Sequence, residues 1–150
     1  MTPGPVDLKI VHDRLTMAYD SAAALRRIPK GSRDEFLADP RNPAAADTLL
    51  LRASQGLLDT ARHLLSTAFG LGTLECKDVA RLAKEKGLVT DPDLAGRFLQ
   101  IAGYRNRMTH LYDEITPEEL FGIVRERLSD LESLAHALRK SAGRLAGGKA

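Results

Sequence analysis

Eight consecutive residues, Arg105-Asn106-Arg107-Met108-Thr109-His110-Leu111-Tyr112, hold the side chains best suited to chemistry in this sequence. Arginine is a permanent cation whose planar fork of donors matches a pair of phosphate oxygens. Histidine gives or takes a proton near neutral pH. An arginine to hold a scissile phosphate and a histidine to move protons are enough to cleave RNA without a metal, since the ribose 2′-hydroxyl can serve as nucleophile. In that chemistry Arg105 and His110 are the principal groups. Tyr112 offers a phenol for stacking.

Their spacing sets a geometric condition. Five residues on an α-helix turn through about 500°, roughly 140° beyond a full turn, so Arg105 and His110 do not share a face of a regular helix. Arg105 and Tyr112, seven apart, nearly do. A site using Arg105 and His110 requires either that the helix end or distort near Thr109, or that two chains related by a two-fold axis contribute to one pocket.

The elements that must position these residues are helical. Leu8, Val11, Leu15, Ala18, Ala22 and Leu25 recur at three- and four-residue steps, predicting a helix over 7–28, which Pro29 and Gly31 end. Residues 33–38 allow one or two further turns before Pro40 and Pro43 break the chain. A second long helix is predicted over 45–69, with an apolar surface broad enough for burial on more than one side. A short helix follows over 76–86, with Gly87 at a left-handed C-cap position. Asp91 caps the next helix, Pro92 occupies its first turn, and it runs into the octet. The last helix opens on a capping box, Thr116-Pro117-Glu118-Glu119, and its leucine seam extends from Leu120 to Leu138. The expected architecture is one all-α domain over 7–142, an antiparallel up-and-down bundle of four long helices plus a short fifth. Residues 1–6 read as a disordered N-terminus and 143–150, rich in glycine, as a flexible tail.

Composition agrees with a single helical domain. The 150 residues suffice for one core, there is no Trp, and aromatics make up 5%. A formal charge of +2 is too small for a surface coated with nucleic acid, so any RNA contact must rest on a local concentration of charge. One cysteine, Cys76, excludes an intramolecular disulfide framework. No apolar run reaches membrane-spanning length, and the first residues lack the basic and apolar regions of a signal peptide. These features fit a cytoplasmic protein.

The pattern Arg-x4-His-x-Tyr, entered as Arg-Asn, resembles the signature of the HEPN superfamily, and its HepT-like toxin branch in particular. Asp34 to Pro40, Gly56 to Leu64 and Ala102 to Asn106 resemble that branch in the same order, so the resemblance covers about residues 7–140. Thr109 and Leu111 depart from the aliphatic and acidic residues common there, which bears on partner fit rather than on the chemistry. The resemblance implies a homodimer with composite sites at its interface. It also implies a metal-independent endoribonuclease toxin of a type VII-like toxin–antitoxin system, with Arg105 and His110 catalytic and a 2′,3′-cyclic phosphate product. In the mechanism it suggests, Asn106 would orient His110 or donate to a phosphate oxygen, and Arg107, outside the family's defining pattern, would add phosphate attraction. RNA is the implied substrate, tRNA being the class the family suggests. It further implies that an MNT-type nucleotidyltransferase antitoxin attaches AMP to Tyr112, placing negative charge beside the phosphate-binding arginine. No cofactor and no metal are expected. The competing reading is a non-catalytic helical module that docks a nucleotidyltransferase or binds a nucleotide.

The remaining polar residues read as structural. His63 borders an apolar stripe and suits a satisfied structural histidine, while His12 and His136 suit solvent-facing positions. No histidine pair has zinc spacing. Cys76 has no neighbouring histidine to activate it. Tyr19 and Tyr104 suit packing. The mixed charges from Lys77 to Lys86 suit a solvated helical face, and Arg26, Arg27, Lys30 and Arg33 a solvated basic loop.

Overall fold

The computed structural model describes residues 4–72, 74–110 and 114–147. Seven helices lie among them: α1 (Leu8–Arg27), α2 (Arg33–Ala38), α3 (Arg41–Phe69), α4 (Cys76–Glu85), α5 (Pro92–Met108), α6 (Pro117–Glu126) and α7 (Leu128–Gly147). The chain is all-helical among the described residues, as its periodicity predicts. The central element is α3, which touches α1, α2, α4, α5, α6 and α7. That explains its wide apolar surface: Leu50, Ala53, Leu57, Leu58, Ala61, Leu64 and Leu65 are all buried.

Local chemistry fixes most boundaries. The Asp7 carboxylate accepts from the Lys9 and Ile10 amides at the start of α1. Asp91 does the same for α5, with Pro92 at its first position. Gly70 and Gly87 take left-handed conformations, φ 70° and 75°, after α3 and α4. Leu71 N closes on Leu65 O at 3.0 Å after Gly70, returning the chain at the end of α3.

Gly56 has a different reason to be glycine. A Cβ there would lie 2.5 Å from the Arg14 carbonyl oxygen and 3.3 Å from the Ala18 amide nitrogen. The α1 and α3 backbones cross there at a distance no side chain would allow.

Four boundaries differ from the sequence reading. Helix α3 begins at Arg41 rather than 45, because Asp39 accepts from Arg41 N at 3.0 Å. Pro43 then falls in the first turn, where a missing N–H breaks no helical bond. The expected last helix is two helices that break at Arg127, whose φ is −114° and ψ 7°. The break lets α6 fold over α2, with the Phe36 and Phe121 rings 5.6 Å apart, while α7 runs along α1. Helix α7 continues through 143–147, past the expected domain end at 142, where Arg144 donates to Gly87 O and Leu145 packs against the core. At the other end, residues 4–6, expected to lie outside the domain, make contacts with it. Gly4 N donates to Thr67 O, and Val6 packs on the core.

No helix of the described residues is long and apolar enough to cross a membrane.

Candidate active site

Helix α5 delivers the octet. Its apolar side buries Ala95, Phe98, Ile101 and Ala102, and the helix stops at Met108. Thr109 leaves helical geometry (φ −102°, ψ 2°), and His110 N closes a tight turn on Arg107 O at 3.1 Å. The Thr109 hydroxyl reinforces the turn by donating to Asn106 O at 3.0 Å. This end of the helix meets the geometric condition set by the spacing. His110 is swung out of helical phase, and Arg105, Asn106 and His110 line one cleft of about 350 Å³ within a single chain.

The opposite wall of the cleft comes from α3 and the start of α4. It carries Arg62, Glu75 and Cys76. Arg105 Nε donates to Gln55 Oε1 at 2.9 Å. Gln55 Nε2 in turn donates to Asp59 Oδ1 at 2.7 Å, and Arg62 Nη1 donates to the same oxygen at 3.0 Å. Arg62 also reaches Leu74 O at 3.4 Å and the Cys76 sulfur at 3.8 Å. One turn of α3 therefore holds both guanidiniums. Their surroundings differ. Arg62 faces a carboxylate, whereas Arg105 meets a neutral amide and keeps its terminal nitrogens without a partner among the described residues.

Arg107 lies elsewhere. Its terminal nitrogens pair with the Glu119 carboxylate at 2.5 and 2.9 Å, and one also donates to Glu114 O at 3.3 Å. It is absent from the cleft wall. The Arg107 hydrogen bonds hold the Glu119 carboxyl below its ordinary pKa. The expected capping box is thereby half-formed. Thr116 Oγ1 accepts from Glu119 N at 3.1 Å, but the Glu119 side chain turns to Arg107 and ties the end of α5 to the start of α6. Arg107, expected to add phosphate attraction, thus links the end of α5 to the start of α6 through Glu119. Tyr112 lies outside the described residues.

The other histidines behave as read. His12 and His136 face solvent. His63 accepts from Asp7 N at 3.0 Å through Nε2, and burial lowers its pKa although the Asp7 charge opposes the shift. Lys30, expected in a solvated basic loop, instead donates to the carbonyls of Leu25, Arg26 and Ile28 and closes the end of α1. Gln55 and Glu75 escaped the sequence reading, and Asp59 and Arg62 entered it only within the Gly56 to Leu64 stretch of family resemblance, with no role in the site. The helical spacing of Gln55 to Asp59 at four and Asp59 to Arg62 at three is shared by many solvated helix faces.

Comparisons with known proteins agree with this architecture. The tRNA nuclease HepT of Aphanizomenon flos-aquae (strain 2012/KM1/D3) is 27% identical over 112 residues, spanning 75% of this chain and 76% of the relative. The tri-AMPylated HEPN toxin of Shewanella oneidensis, solved in complex with an MNT antitoxin, superimposes with a TM-score of 0.76 at 19% identity, covering 87% of this chain and 97% of that one. A toxin–antitoxin solved with AMP-PNP superimposes at 0.73 and 19% identity, covering 86% and 97%. The match to the family described as ribonuclease HepT-like runs through residues 18–138, nearly the whole bundle, and the chain belongs to that family.

Proposed function

We propose that this protein is an endoribonuclease toxin whose cleft cuts RNA, tRNA being the favoured class, by attack of the ribose 2′-hydroxyl on the adjacent phosphate. The observation that carries the reading is the convergence of Arg105, Asn106 and His110 on one cleft in a member of the HepT-like family. The terminal nitrogens of Arg105 bind the phosphate and offset the charge that develops as the 2′-oxygen bonds to phosphorus. Gln55 fixes the direction of that fork without cancelling its charge. His110 takes the 2′-hydroxyl proton or gives one to the departing 5′-oxygen. The products are a 2′,3′-cyclic phosphate and a 5′-hydroxyl, and no metal is required.

One imidazole cannot be base and acid in the same step. A homodimer in which each cleft gains the partner's His110 satisfies both needs, which is the chemical argument for a composite site. The outer face of α5 supports such an approach. A Cβ at Gly96 or Gly103 would meet nothing within 4 Å, and Leu99 between them is 38% exposed. The protein acts in the cytoplasm, restrained by a nucleotidyltransferase antitoxin that attaches AMP to Tyr112. The relative solved as a tri-AMPylated toxin with its MNT antitoxin supports that part. Phosphates added there would sit close in sequence to His110 and compete for Arg105.

The test is expression of the wild type and of His110→Ala from a tightly controlled promoter, with RNA ends mapped. Growth arrest and cyclic-phosphate ends with the wild type alone are expected. Harmless expression of both, with transcripts intact, would overturn the nuclease in favour of a docking module.

A further inference from the structure

A cavity larger than the motif cleft, about 530 Å³, lies between α7 and the turn joining α4 to α5. Its floor is apolar, formed by Leu88, Leu94 and Ala137. His136, Lys140 and Arg144 stand along one side at four-residue steps, so they form one row on α7. Ser129 and Ser133 continue the wall with hydroxyls.

The charge balance of this cavity is one-sided. Its carboxylate, Glu132, is already bound by Arg26, which also depresses the Glu132 pKa. Arg144 donates to Gly87 O and to Ser141 Oγ, which are neutral. Lys140 and His136 have no ion-pair or hydrogen-bond partner among the described residues. The Lys140 and Arg144 side chains therefore stand at an apolar floor without a carboxylate partner among the described residues, with His136 beside them. A phosphomonoester carries about −1.5 to −2 at neutral pH and matches that pair of charges. The volume falls within the ~300–1,000 Å³ of small-molecule sites, in which apolar walls hold a ring and a few polar groups fix its direction.

We propose that this cavity is a second binding site, for a phosphate-bearing ring of nucleotide size. The ring lies on Leu88, Leu94 and Ala137, and the phosphate is held by Lys140 and Arg144. The site is distinct from the motif cleft. Leu94 and Arg105 are eleven residues apart on α5, roughly 16 Å along its axis. The same chemistry is available from a free nucleotide or from one nucleotide of an RNA strand.

The experiment is equilibrium dialysis of the full chain with AMP, adenosine and inorganic phosphate, alongside a short oligoribonucleotide measured by fluorescence anisotropy. Lys140→Ala, at an exposed position, is compared with Arg105→Ala, and helicity is checked by circular dichroism. Saturable AMP binding is expected, weakened about tenfold by Lys140→Ala, the worth of one hydrogen bond to a charged group, and insensitive to Arg105→Ala. Adenosine and phosphate alone should bind far more weakly than AMP. If AMP fails to bind but the oligonucleotide binds in a manner sensitive to Lys140, the strand is the source of the ligand. The proposal is overturned if neither probe responds to Lys140→Ala, if adenosine binds as well as AMP, or if binding disappears only with Arg105→Ala.

Discussion

The two ends of α5 use arginine in opposite ways. Near its start, Arg97 donates to both oxygens of Asp130 at 2.9 and 3.1 Å, and Arg127 approaches the same carboxylate at 3.8 Å. Asp130 is buried, 8% exposed, so this cation neutralises a charge the fold has taken out of water. Near its end, Arg105 is held by Gln55, which is neutral. One guanidinium is spent on joining α5 to α7, and the other stays available to an anion. Arg107 follows the first pattern, with Glu119 as its carboxylate. Position within a motif does not tell these uses apart. The partner across the helix interface does.

The sharpest way to break this comparison is to exchange consequences. Arg105→Lys keeps the charge but loses the fork and the fixed bond to Gln55. RNA cleavage should fall by roughly 10²- to 10³-fold, the cost of removing one oriented transition-state donor. The melting temperature should hardly move, because no carboxylate is left unpaired. Arg97→Ala should do the reverse, costing about 1–3 kcal/mol of stability while saturated cleavage stays near wild type. That estimate is below the usual loss for a fully buried pair, since the Arg97 side chain is 40% exposed and Arg127 remains near Asp130. Calorimetry beside single-turnover cleavage reads both. Equal losses of stability and rate in the two variants would end the distinction.

A smaller effect tests what Gln55 contributes. Gln55→Ala frees the Arg105 side chain to wander, and cleavage should fall about tenfold, mainly in kcat. Gln55→Glu converts the end of α5 to the Arg97 pattern by giving Arg105 a carboxylate. RNA binding should then weaken, with a higher KM and a shallower dependence on salt. If Gln55→Glu binds RNA as the wild type does, the neutrality of that partner is irrelevant.

Much of this was legible in the sequence because the signals were local. Asp91 and Thr116 announce helix starts, Gly87 announces a stop, and the leucine periodicity names the buried faces. The helix-phase mismatch of the octet required either a helix end near Thr109 or a second chain, and α5 does end there. What stayed hidden depends on which helices face each other. The leucine seam from Leu120 to Leu138 is continuous in sequence, yet α6 and α7 pack against different neighbours, so Arg127 breaks it. Arg105 and Gln55 are fifty residues apart, and nothing near either one reports their contact. Likewise, nothing in the sequence around Arg107, read there as a supporting phosphate contact, reports its pairing with Glu119 twelve residues on. Gly56 could be noted as part of a family resemblance, but the Arg14 carbonyl beside it gives the physical cause.

The smallest expected effect concerns the tether of the N-terminal segment, where a histidine serves structure rather than proton transfer. His63 accepts from Asp7 N through Nε2, so it must be neutral with its proton on Nδ1. Burial lowers its pKa in the folded protein, while an unfolded histidine titrates near pH 6.5. Above about pH 6.5 both states are neutral at this residue, and the contribution to stability is complete. As the pH falls below that value the unfolded chain takes up a proton that the folded chain resists, so stability is lost towards acid and the loss levels off below the depressed folded pKa. Protonation would also turn an acceptor into a donor facing the Asp7 amide. Partial exposure keeps the effect under about 1 kcal/mol. Melting curves at about pH 7.5 and about pH 5.5 should show a larger drop in the wild type than in His63→Gln, which removes this titration and leaves the other histidines in place. An identical drop in both proteins would show that the tether does not sense protons.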